Sequence, residues 1–268
     1  MNDVVLTESR GPIRIVTINR PEVRNAVNIE TAKALYQAFL DFEDDDDANV
    51  AVFAGSDGAF CGGYDLKMAA KGVDQSWFDE HAIRTPEDMG KRKIGPMGPS
   101  RLQLSKPVIA AVEGPAVAGG MELALWADMR VMAKTAFFGV YCRRWGVPLI
   151  DGGAIRLPRI VGQSRAMDLI LTGRKCEADE ALAIGLANRV VEHGQALDAA
   201  LTLAEDLARF PQACMRADRS VILDQWSLPH EAAFSREWRS AETFTTEGVK
   251  GAGRFSAGKG RSGDFGDI

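Results

Sequence analysis

Gly119-Gly120-Met121-Glu122 and Gly62-Gly63-Tyr64 are the two stretches whose residue types and spacing suit chemistry. A glycine pair lets a ligand approach the backbone with no side chain in the way. If a helix opens at Gly119, its first amides have no internal partner. They lie at the positive end of the helix dipole, where they can receive an oxyanion. Glu122 then sits about one turn in, close enough to handle a proton beside that oxyanion. Gly62-Gly63 makes a second sharp turn, which frees the Tyr64 amide to face a ligand. Two backbone donors from separate turns, converging on one oxygen, stabilise an enolate or a tetrahedral adduct. Taken singly, a glycine pair is plain turn chemistry, and an acid at a helix start simply meets the dipole. Two such turns, one followed by an acid, read as a site for making and holding an enolate.

The elements that must position these turns are legible as apolar runs. Val50–Gly55 and Val108–Val112 lack alternation, as expected of strands covered on both faces. Each delivers the chain into one of the glycine turns, and a short helix over Asp65–Ala70 follows the first. Upstream, Val4–Glu8 and Ile13–Asn19 read as a hairpin through Gly11-Pro12. Asn28 caps a helix to about Glu43, with Leu35, Phe39 and Phe42 on one face. Asp44–Asp47 reads as a solvated loop, because no spaced ligand pattern makes it a calcium site. Residues 67–105 mix charge with Gly and Pro and carry little periodicity. Met129–Ala133 and Ala136–Val140 read as short strands. From Gln163 onward the pattern is mostly helical, including 195–209, 211–226 and 230–246, and Gly258–Asp267 reads as flexible.

A length of 268 residues suits one domain with a sizeable core plus a smaller appendage. The net charge of −5 argues against nucleic acid or an anionic membrane as a partner. Cys61, Cys142, Cys176 and Cys214 lack metal-ligand or disulfide spacing, and Cys61 and Cys214 read as small core residues. With no leader pattern and no run of transmembrane length, the expected compartment is the cytoplasm. His81, His193 and His230 fall where surface residues are expected.

Five stretches, in order, resemble the enoyl-CoA hydratase/isomerase (crotonase) superfamily. They are Ile18–Asn28, Phe60–Leu66, Lys106–Leu125, Gly152–Gly162, and Leu171-Thr172-Gly173 through Ala181–Val191. The resemblance covers about residues 5 to 255. It implies an α/β fold, with a crotonase-like ββα spiral core over residues 1–195 that carries the CoA-thioester site. Residues 196–268 would form a helical region for trimerisation and pocket closure. The implied activity is that of an acyl-CoA-processing enzyme, with enoyl-CoA hydratase the favoured reaction and a homotrimer or dimer of trimers the assembly. No metal and no cofactor beyond the coenzyme A of the substrate is implied. The Tyr64 and Gly119 amides would form the oxyanion hole, and Glu122 would be the principal acid and base. Substrate or CoA contacts carry over to Arg24, Ala26, Gly62, Gly63, Asp65, Leu66, Gly120 and Cys142. Residues 67–105 would cap the acyl pocket, and Arg254 and Lys259 are candidate phosphate contacts.

The chain departs from the hydratase pattern at one position. After the Phe138-Gly139 step, Cys142 stands where a second catalytic glutamate is expected. Hydration needs a water activated at the β-carbon and a proton delivered to the α-carbon, a task for two carboxylates. Three readings follow. Asp151 supplies the second acid, in competition with a plain role as N-cap of the next helix. Alternatively, Glu122 alone shuttles a proton between carbons, giving a double-bond isomerase. In the third reading the site binds CoA thioesters with changed or lost chemistry. Cys142 itself reads as an inert pocket or core residue, having no histidine nearby in sequence to activate it. Tyr64, where a small residue is usual in the family, would narrow or redirect the acyl pocket. Trp145 and Arg143-Arg144 would serve a neighbouring carboxylate or a subunit contact.

Overall fold

A computed structural model describes residues 3–260 and Gly266. The chain opens with β1 (Val5–Arg10), β2 (Ile13–Ile18), α1 (Ile29–Asp44), β3 (Val50–Gly55), α2 (Leu66–Ala69) and α3 (Gln75–Glu80). The middle is β4 (Val108–Val112), β5 (Pro115–Val117), α4 (Gly119–Trp126), β6 (Met129–Ala133), β7 (Phe137–Gly139), α5 (Gly153–Val161) and α6 (Gln163–Thr172). Then come β8 (Lys175–Glu177), α7 (Ala178–Ala183), β9 (Arg189–Val191) and the helices α8 (Ala196–Arg209), α9 (Gln212–Asp224), α10 (His230–Trp238) and α11 (Glu247–Ser256).

One sheet runs β1-β2-β3-β4-β6-β9, with only the β1–β2 pair antiparallel. A smaller sheet runs β5-β7-β8, and parallel bridges Cys61–Ala116 and Val27–Tyr64 extend that layer. Each circuit of the chain therefore adds a strand to the large sheet, an extended segment to the small layer, and a helix. The circuits are β2, Val27, α1; then β3, Cys61–Tyr64, α2; then β4, β5, α4. This is the expected ββα spiral. Its consequence is that the Tyr64 turn and the Gly119 turn occupy equivalent places in successive circuits, side by side.

The unalternating apolar runs are explained by burial on both faces. Every residue of β4 is buried, as is β3 up to Gly55. Helix α1 lies against β1 and β2, and α8 packs on β3, β4 and β6. Between the layers Phe39, Phe53, Phe60 and Trp126 meet edge to face at ring distances of 4.8–5.2 Å. Each buried phenylalanine contributes about 1.5–3 kcal/mol of transfer free energy, so this cluster anchors the strands that carry both turns. As expected, the Asn28 side chain caps α1 by accepting the Thr31 amide.

Several expectations need correction. The acidic stretch is tethered as well as solvated. Asp45 pairs with Arg14 at 2.8 Å, and buried Lys106 donates to the Phe42 and Asp45 carbonyls at 2.9 and 2.6 Å, closing the C-terminus of α1. Cys214 is exposed, because it lies on α9, none of whose residues is buried. The 230–246 helix ends at Trp238 and continues as 3-10 turns over Arg239–Thr245. Of the histidines, His81 is half-buried, its ring packed on Trp77. The stretch expected to be flexible falls largely outside the described residues. Among the described residues no helix is long and apolar enough to cross a membrane.

Candidate active site

The two glycine turns meet. Gly63 has φ +91°, a left-handed conformation, and a methyl there would lie 2.9 Å from the Val117 carbonyl and 3.3 Å from the Gly119 nitrogen. Ala118, which leads into α4, adopts φ +53° and ψ −124°, a region an alanine occupies at a cost of about 1–3 kcal/mol. Its amide is pinned by a 2.8 Å bond to the Gly139 carbonyl, and its carbonyl accepts the Glu122 amide at 3.2 Å. The surroundings thus hold this strained corner in place. Among the described residues, neither the Tyr64 nor the Gly119 amide donates to a protein acceptor.

A cavity of about 380 Å³ opens at this point, lined by Tyr64, Gly119, Glu122, Cys142 and Asp151 together with aromatic and aliphatic side chains. Gly62 and Leu66 also line it. The non-periodic 67–105 stretch contributes Phe78, Pro96 and Met97 to its wall, and Tyr141 and Trp145 add further aromatic surface. The Tyr64 ring lies 6.1 Å from that of Phe78 on this wall.

Glu122 is only 3 % exposed. Its Oε1 accepts the amides of Asp151 and Gly153 at 2.9 and 2.8 Å, leaving Oε2 without a donor among the described residues. Burial, and next the facing Asp151, push the Glu122 carboxyl up to about 8 despite those amides. A methyl at Gly153 would stand 2.9 Å from Glu122 Cγ, so glycine is required for the acid to reach these amides. Asp151 is equally buried, and its carboxyl is also pushed up by burial, against the opposing pull of the Ser100 hydroxyl and the Met97 amide, which both donate to Oδ1. It does not act as an N-cap. The cap of α5 is Gly152, with no side-chain bond, and the Asp151 side chain turns inward instead.

The remaining sequence candidates divide. Asp65 caps α2 by accepting the Met68 amide and pairs with Arg20 at 3.0 Å, and Arg20 also donates to the Ala26 carbonyl. That ties residues 24–27 to the Tyr64 turn. Gly120 sits against the Cys61 carbonyl inside the helix packing. Arg24 is exposed in a left-handed turn, where its carbonyl accepts the Gly62 amide at 2.9 Å. None of Arg24, Ala26, Gly63, Asp65 and Gly120 lines the cavity. Cys142 does, and burial followed by Glu122 raises its thiol further from ionisation, in keeping with an inert residue. Among the described residues Arg143 and Arg144 meet no carboxylate: they reach the Ile170 and Gly173 carbonyls, and Arg144 stacks on Tyr141. Ser100, Met97 and Arg156 escaped the sequence reading. They lie in aperiodic or ordinary helical stretches, and only the folded chain brings them to Asp151.

A family model described as enoyl-CoA hydratase/isomerase matches residues 8–257. The chain is 38% identical over 236 residues to the enoyl-CoA hydratase EchA19 of Mycobacterium tuberculosis, covering 85% of this chain and 84% of that protein. It is 34% identical over 239 residues to the carnitinyl-CoA dehydratase of Salmonella paratyphi A, covering 87% and 85%. Among solved structures, it is similar to the enoyl-CoA hydratase EchA1 of Mycobacterium marinum, at a TM-score of 0.85 and 34% identity over 96% of each chain.

Proposed function

The chain belongs to the enoyl-CoA hydratase/isomerase family, and from that premise we propose that it hydrates the double bond of a 2-enoyl-CoA thioester, with Glu122 and Asp151 as its acid–base pair. The supporting observation is that two buried acids, each with one oxygen unengaged by donors among the described residues, line one cavity with two residues whose amides have no acceptor among those residues. In the proposed step the thioester oxygen accepts the Tyr64 and Gly119 amides, reinforced by the α4 dipole. The ionised member of the pair takes a proton from water as its oxygen bonds to the β-carbon. The π electrons move onto the thioester oxygen, and the enolate then takes a proton at the α-carbon from the protonated member. The pair ends with one proton, as it began. Because the thioester oxygen is held by the main chain, this step calls on no cofactor beyond the substrate's own coenzyme A.

Asp151 thereby takes the part left open by Cys142, which favours hydration over single-glutamate isomerisation. Crotonyl-CoA and longer 2-enoyl-CoAs would be incubated with the protein and followed by loss of conjugated absorbance. Turnover is expected, and Glu122→Gln and Asp151→Asn should each lower it by about 10²-fold or more. Unchanged absorbance with every 2-enoyl thioester sinks hydration. A gain of absorbance from a 3-enoyl-CoA would place the isomerase reading first, and thioester binding without turnover would mark a non-catalytic binder.

The wider proposals are a cytoplasmic protein acting on free acyl-CoA, with residues 1–195 as the core and 196–268 as the oligomerising region of a homotrimer or dimer of trimers. Its cysteines are all unpaired, and α10, α11 and the turns between them expose Phe234, Trp238, Phe244 and Phe255, apolar surface that suits a subunit contact.

A further inference from the structure

Asp151 is held from one side only. Ser100, fully buried, and the Met97 amide at 3.0 Å both donate to Oδ1, and no donor among the described residues reaches Oδ2. Glu122 has the same layout, with two amides on Oε1 and none on Oε2. A carboxyl oxygen that accepts two hydrogen bonds has its lone pairs engaged and is a poor place for a proton. A proton shared by the pair therefore sits on Oδ2 or Oε2. Behind Asp151, the half-buried Arg156 donates through its guanidinium to the Asp151 and Ser100 carbonyls at 2.9 and 2.7 Å. It thus joins two loops without ion-pairing either carboxylate, so the acids stay free to exchange their proton. Arg101 does the same nearby through the Ile150 and His81 carbonyls.

We infer that Ser100 and Arg156 are positioning residues of the proposed hydration. Ser100 engages Oδ1 so that the shared proton is presented from Oδ2, and Arg156 clips the loop bearing Ser100 to the loop bearing Asp151. The inference rests on the acid roles proposed above. The ionisable groups facing Asp151 are Glu122 from α4, Arg101 from the turn at 99–101 and Arg156 from α5, with Cys142 facing Glu122.

Steady-state kinetics across pH would test it with the intact wild type, Ser100→Ala, Ser100→Cys, Arg156→Lys and Asp151→Asn. Ser100→Ala is expected to lower kcat about tenfold with KM within about twofold. It should also move the acidic limb of the profile up by about one pH unit, the scale of a lost hydrogen bond to a charged acceptor. Ser100→Cys, a weaker donor of similar shape, should fall between Ser100→Ala and wild type, and it replaces the alanine variant if that fails to fold. Arg156→Lys, which keeps the charge but loses the two-pronged reach, should lower kcat with KM held. A limb that stays in place in both Ser100 variants, while Asp151→Asn is inactive, overturns the positioning inference alone. An Asp151→Asn protein as active as wild type, or a wild type without hydration, overturns the proposed acid roles and this inference with them.

Discussion

Glu122→Gln should change how the stability of this protein depends on pH, and the size of the change follows from the site. Burial and Asp151 raise the Glu122 carboxyl from an ordinary 4.5 to about 8. The folded state therefore holds a proton that the unfolded chain releases. The stability this contributes is fully present below about pH 4.5 and is lost as pH rises through about 8. By linkage, the loss relative to acid amounts to roughly 2 kcal/mol at pH 6 and roughly 5 kcal/mol at pH 9, so about 3 kcal/mol disappears between them. Glutamine can still accept the Asp151 and Gly153 amides through its carbonyl oxygen, but it has no proton to lose. Urea denaturation at pH 6 and pH 9 should show wild type losing about 3 kcal/mol more than the variant. In melting experiments that corresponds to about 5–10 °C. The variant should then be the more stable protein at pH 9. Parallel pH dependences for the two would mean that Glu122 ionises normally, and the argument that its surroundings raise its carboxyl would fall.

Two further outcomes are expected. Gly153→Ala places a methyl 2.9 Å from Glu122 Cγ, so it should cost about 1–3 kcal/mol of stability through overpacking and lower kcat as the acid shifts. Circular dichroism melts with kinetics would show both, and an unaffected variant would mean the acid has room to move. Tyr64→Ala keeps the main-chain amide proposed as a donor and removes only the ring beside Phe78, so kcat on crotonyl-CoA should hold within about threefold while bulky acyl chains gain in kcat/KM. A collapse of kcat on every substrate would show that the ring contributes to the chemistry.

Much of the site was legible because its parts are local. A glycine turn, a helix start and an acid one turn later are written within Gly119–Glu122, and the buried strands announce themselves through unalternating runs such as Val108–Val112. The ordered set of stretches placed both turns in one fold. The fate of Asp151 was not legible. Next to Gly152-Gly153 at a helix entry, capping and catalysis look identical in sequence, since both need only a short acceptor at that position. Cys214 misled for a similar reason, because cysteine composition cannot tell a core helix from one that lies on the outside.

The chain's own order of residues determined the ββα layering, the two glycine turns and the acid one turn into α4, since each depends on contacts within a few residues or on a repeated burial pattern. Only the tertiary structure decided that Asp151 faces Glu122, and that Ser100, Met97 and Arg156, from segments about 50 residues away or from the next helix, govern how Asp151 is held. The physical reason is that a carboxyl's ionisation depends on which groups surround it in space. Burial raised both carboxyls, and the facing Asp151 raised Glu122 further; neither condition is written beside the residue it acts on.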